Sequence, residues 1–191
     1  MRNISRFLIL GIFLILTGCV SYYGIIKESK PSGDLRTYDV IHVGWLDLGE
    51  DRWKEYGYEE KDKEAWVTTI DHMNRKALPD YLKEAIPNKK VSVADSKNTA
   101  LPKEGLVIKF TDVNYVQRTS TAAKVMFGSF AGSDTLDLTV HFINGKTQEE
   151  LYTVETSIYS KSAFDAAGWG FDGRINNCVY NLAYFIQEKT Q

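Results

Sequence analysis

Residues 134–160 constrain the fold more than any other stretch. In "DTLDLTVHFING", Leu136, Leu138, Val140 and Phe142 alternate with Thr135, Asp137, Thr139 and His141. A period of two puts each set on its own face of a β-strand. Asn144-Gly145 favours the conformations that reverse a chain. "LYTVETSIYS" then returns with Tyr152, Val154 and Ile158 on one face. The stretch predicts an antiparallel hairpin with one apolar and one polar face.

Two helices are predicted to cover the apolar face. From about Lys63 to Ile86, apolar residues recur every three or four positions, at Val67, Ile70, Met73, Ala77, Tyr81 and Ala85. Pro79 lies inside this pattern, lacks a backbone donor, and should kink or split the helix near Arg75 to Leu78. The closing stretch "FDGRINNCVYNLAYFIQEK" sets Ile175, Cys178, Val179, Leu182, Phe185 and Ile186 on one helical face, with Asp172 as the expected N-cap. Further strands are predicted in "TYDVIHVGWLDL" (37–48), apolar on both faces and therefore interior, in "KKVSVAD", and in "GLVIKFTDVNYVQR" (105–118). The order is β-α-β-β-β-β-α. It predicts an α/β (α+β) two-layer sandwich, a mixed sheet of about five strands with two main helices on one face. Some parallel pairing is expected across the first helix. Residues 37–191 then form a single α/β domain.

The N-terminus reads as an address. Arg2 and Arg6 precede the apolar run "FLILGIFLIL" (7–16), which is about half the roughly 20 residues a spanning helix needs. A positive start, a short apolar run and a small-residue exit mark a secretory signal over residues 1–18. Leu16-Thr17-Gly18-Cys19 resembles the lipobox of bacterial lipoproteins. That resemblance implies cleavage before Cys19 and acylation of its thiol, usually followed by acylation of its amine, and two or three chains anchor a protein durably where one does not. Val20 stands where an Asp would imply inner-membrane retention, which favours the outer membrane with the domain facing the periplasm. Residues 19–36 are expected to form a lipid anchor and a tether rich in Ser, Gly, Lys and Pro. Tyr22, Tyr23, Ile25 and Ile26 are unusual for a linker, and suit either the bilayer interface or a return onto the domain.

Removing residues 1–18 leaves 21 basic and 25 acidic groups, and net charge moves from −2 to −4. A nucleic-acid partner would call for a basic face, so none is expected. With Cys19 acylated, Cys178 is the one remaining cysteine and no internal disulfide can form.

From Gly105 onward the chain resembles a group of uncharacterised bacterial lipoproteins of unknown function. The resemblance rests on Thr111-Asp112 at a strand end, the Gly-rich "VMFGSFAGS", the "INGK" turn, and a closing helix from Arg174 to Lys189. In element order it is also similar to the periplasmic domain of the curli-secretion lipoproteins, whose α/β core supports an outer-membrane pore. Fold order of this kind does not fix function.

Candidate sites are sparse. Gly128-Ser129-Phe130-Ala131-Gly132 is not Gly-x-Ser-x-Gly, and no Gly-Lys-Ser/Thr follows it, so neither a nucleophile elbow nor a phosphate loop is indicated. Met126, Phe127, Gly128, Phe130 and Gly132 are instead read as an assembly segment or as close packing at a strand entry. His42, His72 and His141 lack metal-ligand spacing, so no metal and no cofactor are expected. Asp112 with Asp134 or Asp137 could pair carboxylates for glycoside chemistry. Trp53, Tyr56, Tyr58 and Trp66 sit among charges as a candidate binding surface or as cover for the core. Taken together, these features predict a non-enzymatic envelope lipoprotein that binds an envelope protein or its own copies. A small-molecule or glycan binder using the aromatic loop is the alternative.

Overall fold

A computed structural model of the chain describes residues 22–56, 59–100, 102–116, 134–160 and 171–191. A six-stranded mixed sheet organises them: β1 (Tyr23–Glu28), β2 (Val40–Val43), β3 (Lys90–Val93), β4 (Leu106–Val116), β5 (Thr135–Asn144) and β6 (Glu150–Tyr159). The spatial order is β1-β6-β5-β4-β2-β3. The first four lie antiparallel to their neighbours, and β2 pairs parallel with both β4 and β3. The predicted α+β class and the interior, parallel placement of β2 therefore hold.

The strand count does not. Tyr23–Glu28, expected within the tether, is the sixth strand, in register with β6 from Tyr23↔Ile158 to Glu28↔Val154. Tyr159 N donates to Tyr22 O, and beyond the strand Ser29 N and Ser32 N donate to Thr153 O and Leu151 O, so pairing with β6 continues past both strand ends. Tyr23 meets Phe185 edge-to-face at 4.9 Å. Of the two placements open to Tyr22, Tyr23, Ile25 and Ile26, the return onto the domain is the one observed. The strand read over 37–48 is also shorter than predicted, because the chain leaves the sheet after Val43.

The predicted hairpin is β5–β6. Leu136, Leu138, Val140 and Phe142 are buried opposite Ile158, Thr156, Val154 and Tyr152. Its turn is fixed by Asn144, whose Oδ1 accepts from Lys146 N and Thr147 N. Gly145 is required there, since a Cβ would sit 2.2 Å from Glu104 O.

Helix α1 (Lys63–His72) runs through a π-turn at Met73–Ala77 into α2 (Leu78–Ala85). The widened turn lies where Pro79 was predicted to disrupt the helix, and Leu78 N reaches back five residues to Met73 O. α3 (Phe171–Thr190) closes the layer, and the backbone of Asp172 falls within it rather than before it. Tyr81 and Tyr180 bring α2 and α3 together edge-to-face at 5.2 Å. Leu78, Leu82, Ile86, Ile175, Leu182 and Ile186 share one buried core with the inner face of the sheet.

The π-turn also places Asn74, which is fully buried. Its Oδ1 accepts from Leu46 N at 2.8 Å, while Nδ2 donates to Leu46 O at 3.0 Å and Ile70 O at 3.1 Å. The side chain thus acts as a strand partner for the segment leaving β2. Asn74→Leu strands two buried backbone groups and should destabilise the domain by about 2–4 kcal/mol in urea unfolding. A loss below about 1 kcal/mol would contradict this role.

Candidate functional site

The two tryptophans of the aromatic stretch belong to the core. A 3₁₀ segment spans Glu50–Tyr56. Trp53 and Trp66 are both buried in the core, and Trp66 Nε1 donates to Gly49 O at 3.1 Å. Lys54 Nζ lies 4.9 Å from the Trp53 ring centroid. Arg52 explains why the segment docks here. β2 pairs with β4 only from Leu106 to Ile108, so among the described residues the rest of β4 has no strand on that side. Arg52 reaches this free edge, donating to Val113 O at 3.1 Å and Asn114 Oδ1 at 2.6 Å. Of the two readings open to Trp53 and Trp66, a binding surface or cover for the core, cover for the core is the one observed. The side chain of Tyr56, all of Tyr58, the segment holding Met126, Phe127, Gly128, Phe130 and Gly132, and Cys19 lie outside the described residues.

Both main helices pack on one side, and the other side of β4, β5 and β6 carries the polar half of the alternation. Lys109 faces His141, which faces Thr153; Thr111 faces Thr139, which faces Glu155. Hydrogen bonds tie these rows together. Thr111 Oγ1 donates to Asp112 Oδ2 at 3.0 Å and lies 2.9 Å from His141 Nε2. His141 Nδ1 lies 2.9 Å from Glu150 Oε2, and Thr153 Oγ1 donates to Glu150 Oε1. Thr139 Oγ1 donates to Asp112 Oδ2 at 3.1 Å. A bulge between Thr111 and Asn114 makes this possible, with Asp112 at φ 53°, a conformation short polar residues tolerate best. The result is one polar chain across three strands, from Asp112 to Thr153.

Beside it, Ile26, Asp112, Asp137, Thr139 and Glu155 line a shallow hollow of about 220 Å³. Asp137 Oδ1 is buried there without a hydrogen-bond partner among the described residues. Asp112 and Asp137 therefore share a surface, whereas Asp134 does not join them. Asp134 is buried elsewhere, accepting from Tyr115 Oη at 2.6 Å and paired with Arg174. Burial, followed by the bond to Asp134, raises the Tyr115 phenol far above its usual range. This is an interior lock between β4, β5 and α3.

Thr111, His141 and Glu150 follow the order of a nucleophile–base–acid relay. Thr111 lies on an open strand, however, and its hydroxyl proton is directed at Asp112. Thr111 itself pairs with Thr139 in the β4–β5 ladder, and Asp112 and Val113 after it form the bulge. His42 is set apart from this chain: its Nδ1 lies 2.7 Å from Ser92 Oγ and its Nε2 3.9 Å from the Glu104 carboxylate. Cys178 is buried, with Sγ 3.7 Å from Ile158 O, in keeping with a small apolar side chain. Among the described residues no three His, Cys, Asp or Glu side chains are grouped to hold a metal, and no helix is long and apolar enough to cross a membrane. A groove of about 730 Å³ runs between Pro31–Arg36 and the end of α3.

The polar chain makes a pH prediction. The Thr153 hydroxyl and then His141 hold the Glu150 carboxyl below its ordinary 4.5. A depressed carboxyl contributes stability above that ordinary value and loses it as pH falls through the folded one. Glu150→Gln should therefore be less stable than the parent at pH 7, with the gap closing below pH 4.5. The side chain is half exposed, so the gap should not exceed about 1 kcal/mol in urea titrations. A gap that widens on acidification would contradict the arrangement.

Among solved structures, the PelC dodecamer from Paraburkholderia phytofirmans shares 9% identity over 88% of this chain and 99% of that one, with a TM-score of 0.45. A single-substitution form of the same protein gives the same values over 98% of its chain. This degree of likeness settles neither the function nor the assembly of the present chain. No curated protein matches the sequence significantly. A family model does match, over a stretch that begins before the predicted one and stops short of α3. It is DUF4410, a domain of unknown function, it spans residues 52–160, more than half of the sequence, and the chain belongs to that family.

Proposed function

We propose that the chain is a lipid-anchored domain of the bacterial envelope, attached through Cys19 and working by contact with another protein rather than by catalysis. The anchor reading rests on the lipobox-like Leu16-Thr17-Gly18-Cys19, and Val20 favours the outer membrane with the domain facing the periplasm. The contact reading rests on one observation: the helices cover one side of the sheet and leave the other as a polar surface braced from Asp112 to Thr153.

Such a surface is suited to recognition. Its side chains hold one another in place, so little ordering remains to be done when a partner arrives. Lys109 lies at one side, and Asp112, Asp137 and Glu155 line the hollow at the other. The buried Asp137 Oδ1 without a partner favours a complementary basic donor. Burial removes Trp53 and Trp66 from the surface that the small-molecule or glycan reading would use.

A photocrosslinking residue at Lys109, with one at Lys83 on α2 as control, tests the reading in native cells. A discrete protein adduct should form from position 109 and not from 83, and Cys19→Ser should release the protein from membranes. Adducts from position 83 alone would overturn the contact surface. Retention of the Cys19→Ser protein on membranes would overturn the anchor.

A further inference from the structure

The large apolar side chains that remain exposed among the described residues are Tyr22, Ile25 and Ile26, at 48%, 41% and 60%. All three belong to the edge of the sheet formed by β1. Exposed edges are usually blunted with charge, because their free backbone groups invite another strand. β1 does end on the charged Lys27 and Glu28, but its first half is apolar, and apolar on both sides. Tyr23 packs on Phe185 beneath the helices, so Ile25 two residues on lies on the helix side of the edge. The register shift between Ile25 and Lys27 marks Ile26 as the extra residue, and Ile26 lines the hollow on the opposite side.

The length of chain before this edge says what can cover it. A tether of residues 19–36 could span roughly 60 Å. With β1 part of the sheet, only three residue steps separate Cys19 from Tyr22, a reach of about 10 Å at most. The headgroup band of a bilayer is itself about 5–8 Å thick. An acylated Cys19 therefore brings the start of β1 to the lipid surface, and no partner the size of a folded domain fits between.

We propose that the β1 edge lies on the membrane, with Tyr22, Ile25 and Ile26 seated among the lipid headgroups. The inference rests on the reading that Cys19 is acylated. Tyr22 suits that depth, since tyrosine places an apolar ring and a polar hydroxyl across the interface. The arrangement also accounts for the apolar first half of this edge, ahead of Lys27 and Glu28: the lipid surface covers what charge would otherwise protect.

The test uses the full, acylated chain in phosphatidylethanolamine–phosphatidylglycerol vesicles carrying a nitroxide lipid. A bimane label goes on Ile26→Cys, or on Lys90→Cys at the opposite edge of the sheet; Cys178 is buried and stays unlabelled. The label at 26 should lose about half its emission to the nitroxide, as expected for a group 5–10 Å into the interface, while the label at 90 keeps its emission. Equal emission from both labels on protein whose acyl mass is verified would overturn the orientation and leave the anchor standing. A label at 26 shielded from iodide but not quenched by lipid would overturn it in favour of a protein on that edge. Absence of the acyl mass would remove the anchor, and the inference with it.

Discussion

The pairing of β1 with β6 is the constraint on which the rest of the arrangement depends. Six residues that read as linker are held in a strand ladder from Tyr23 to Glu28, extended by backbone bonds at Tyr22, Ser29 and Ser32. The ladder is reinforced on the helix side by Tyr23 against Phe185, and by the Tyr152 hydroxyl donating to Glu28. It does two things at once. It completes the cover of β6, and it shortens the connection between the N-terminal segment and the domain from eighteen residues to three.

The other edge is managed by different means. β2 and β3 are four residues each, too short to protect the far half of β4. That half is held by the 3₁₀ segment through Arg52, and the chain leaving β2 is held by Asn74 from the π-turn. Trp66, hydrogen-bonded to Gly49 O, locks the same region to the core. Loops thus stand in for strands on this side, and all of this cover lies at the edge or on the helix layer. Among the described residues no helix lies on the polar face of β4–β6, whose hydroxyls, His141 and Glu150 are bonded to one another.

How much of this could be read from the sequence follows from its physical causes. The β5–β6 hairpin was legible because one face is buried, and burial writes a period of two. The helices were legible because Met73, Ala77, Leu78 and Leu82 must reach one core, and Pro79 announced the interruption that became the π-turn. β1 was not legible. An edge strand contacts one neighbour, so Gly24, Lys27 and Ser29 are permitted and its composition mimics a linker. Trp53 was ambiguous because a 3₁₀ segment has no long period to reveal its buried side, whereas Trp66 lies in the first turn of α1, where the helical period has only begun. Thr111, His141 and Glu150 converge only through strand register. Their signal was faint but present: each stands on the polar side of an alternating strand.

A domain built this way has a defined attitude. Its described helices all lie on one side of the sheet, the polar face of β4–β6 is the proposed contact surface, and the apolar start of β1 comes three residues after the proposed anchor. That attitude holds only if β1 is a working strand of the sheet. Amide hydrogen exchange on residues 20–191 tests this directly. Peptides covering Tyr22–Ser32 should exchange as slowly as those of β6, opening only with its pairing. Exchange at the rate of an unstructured chain, with β6 still protected, would return these residues to the role of a tether and remove the basis for the orientation.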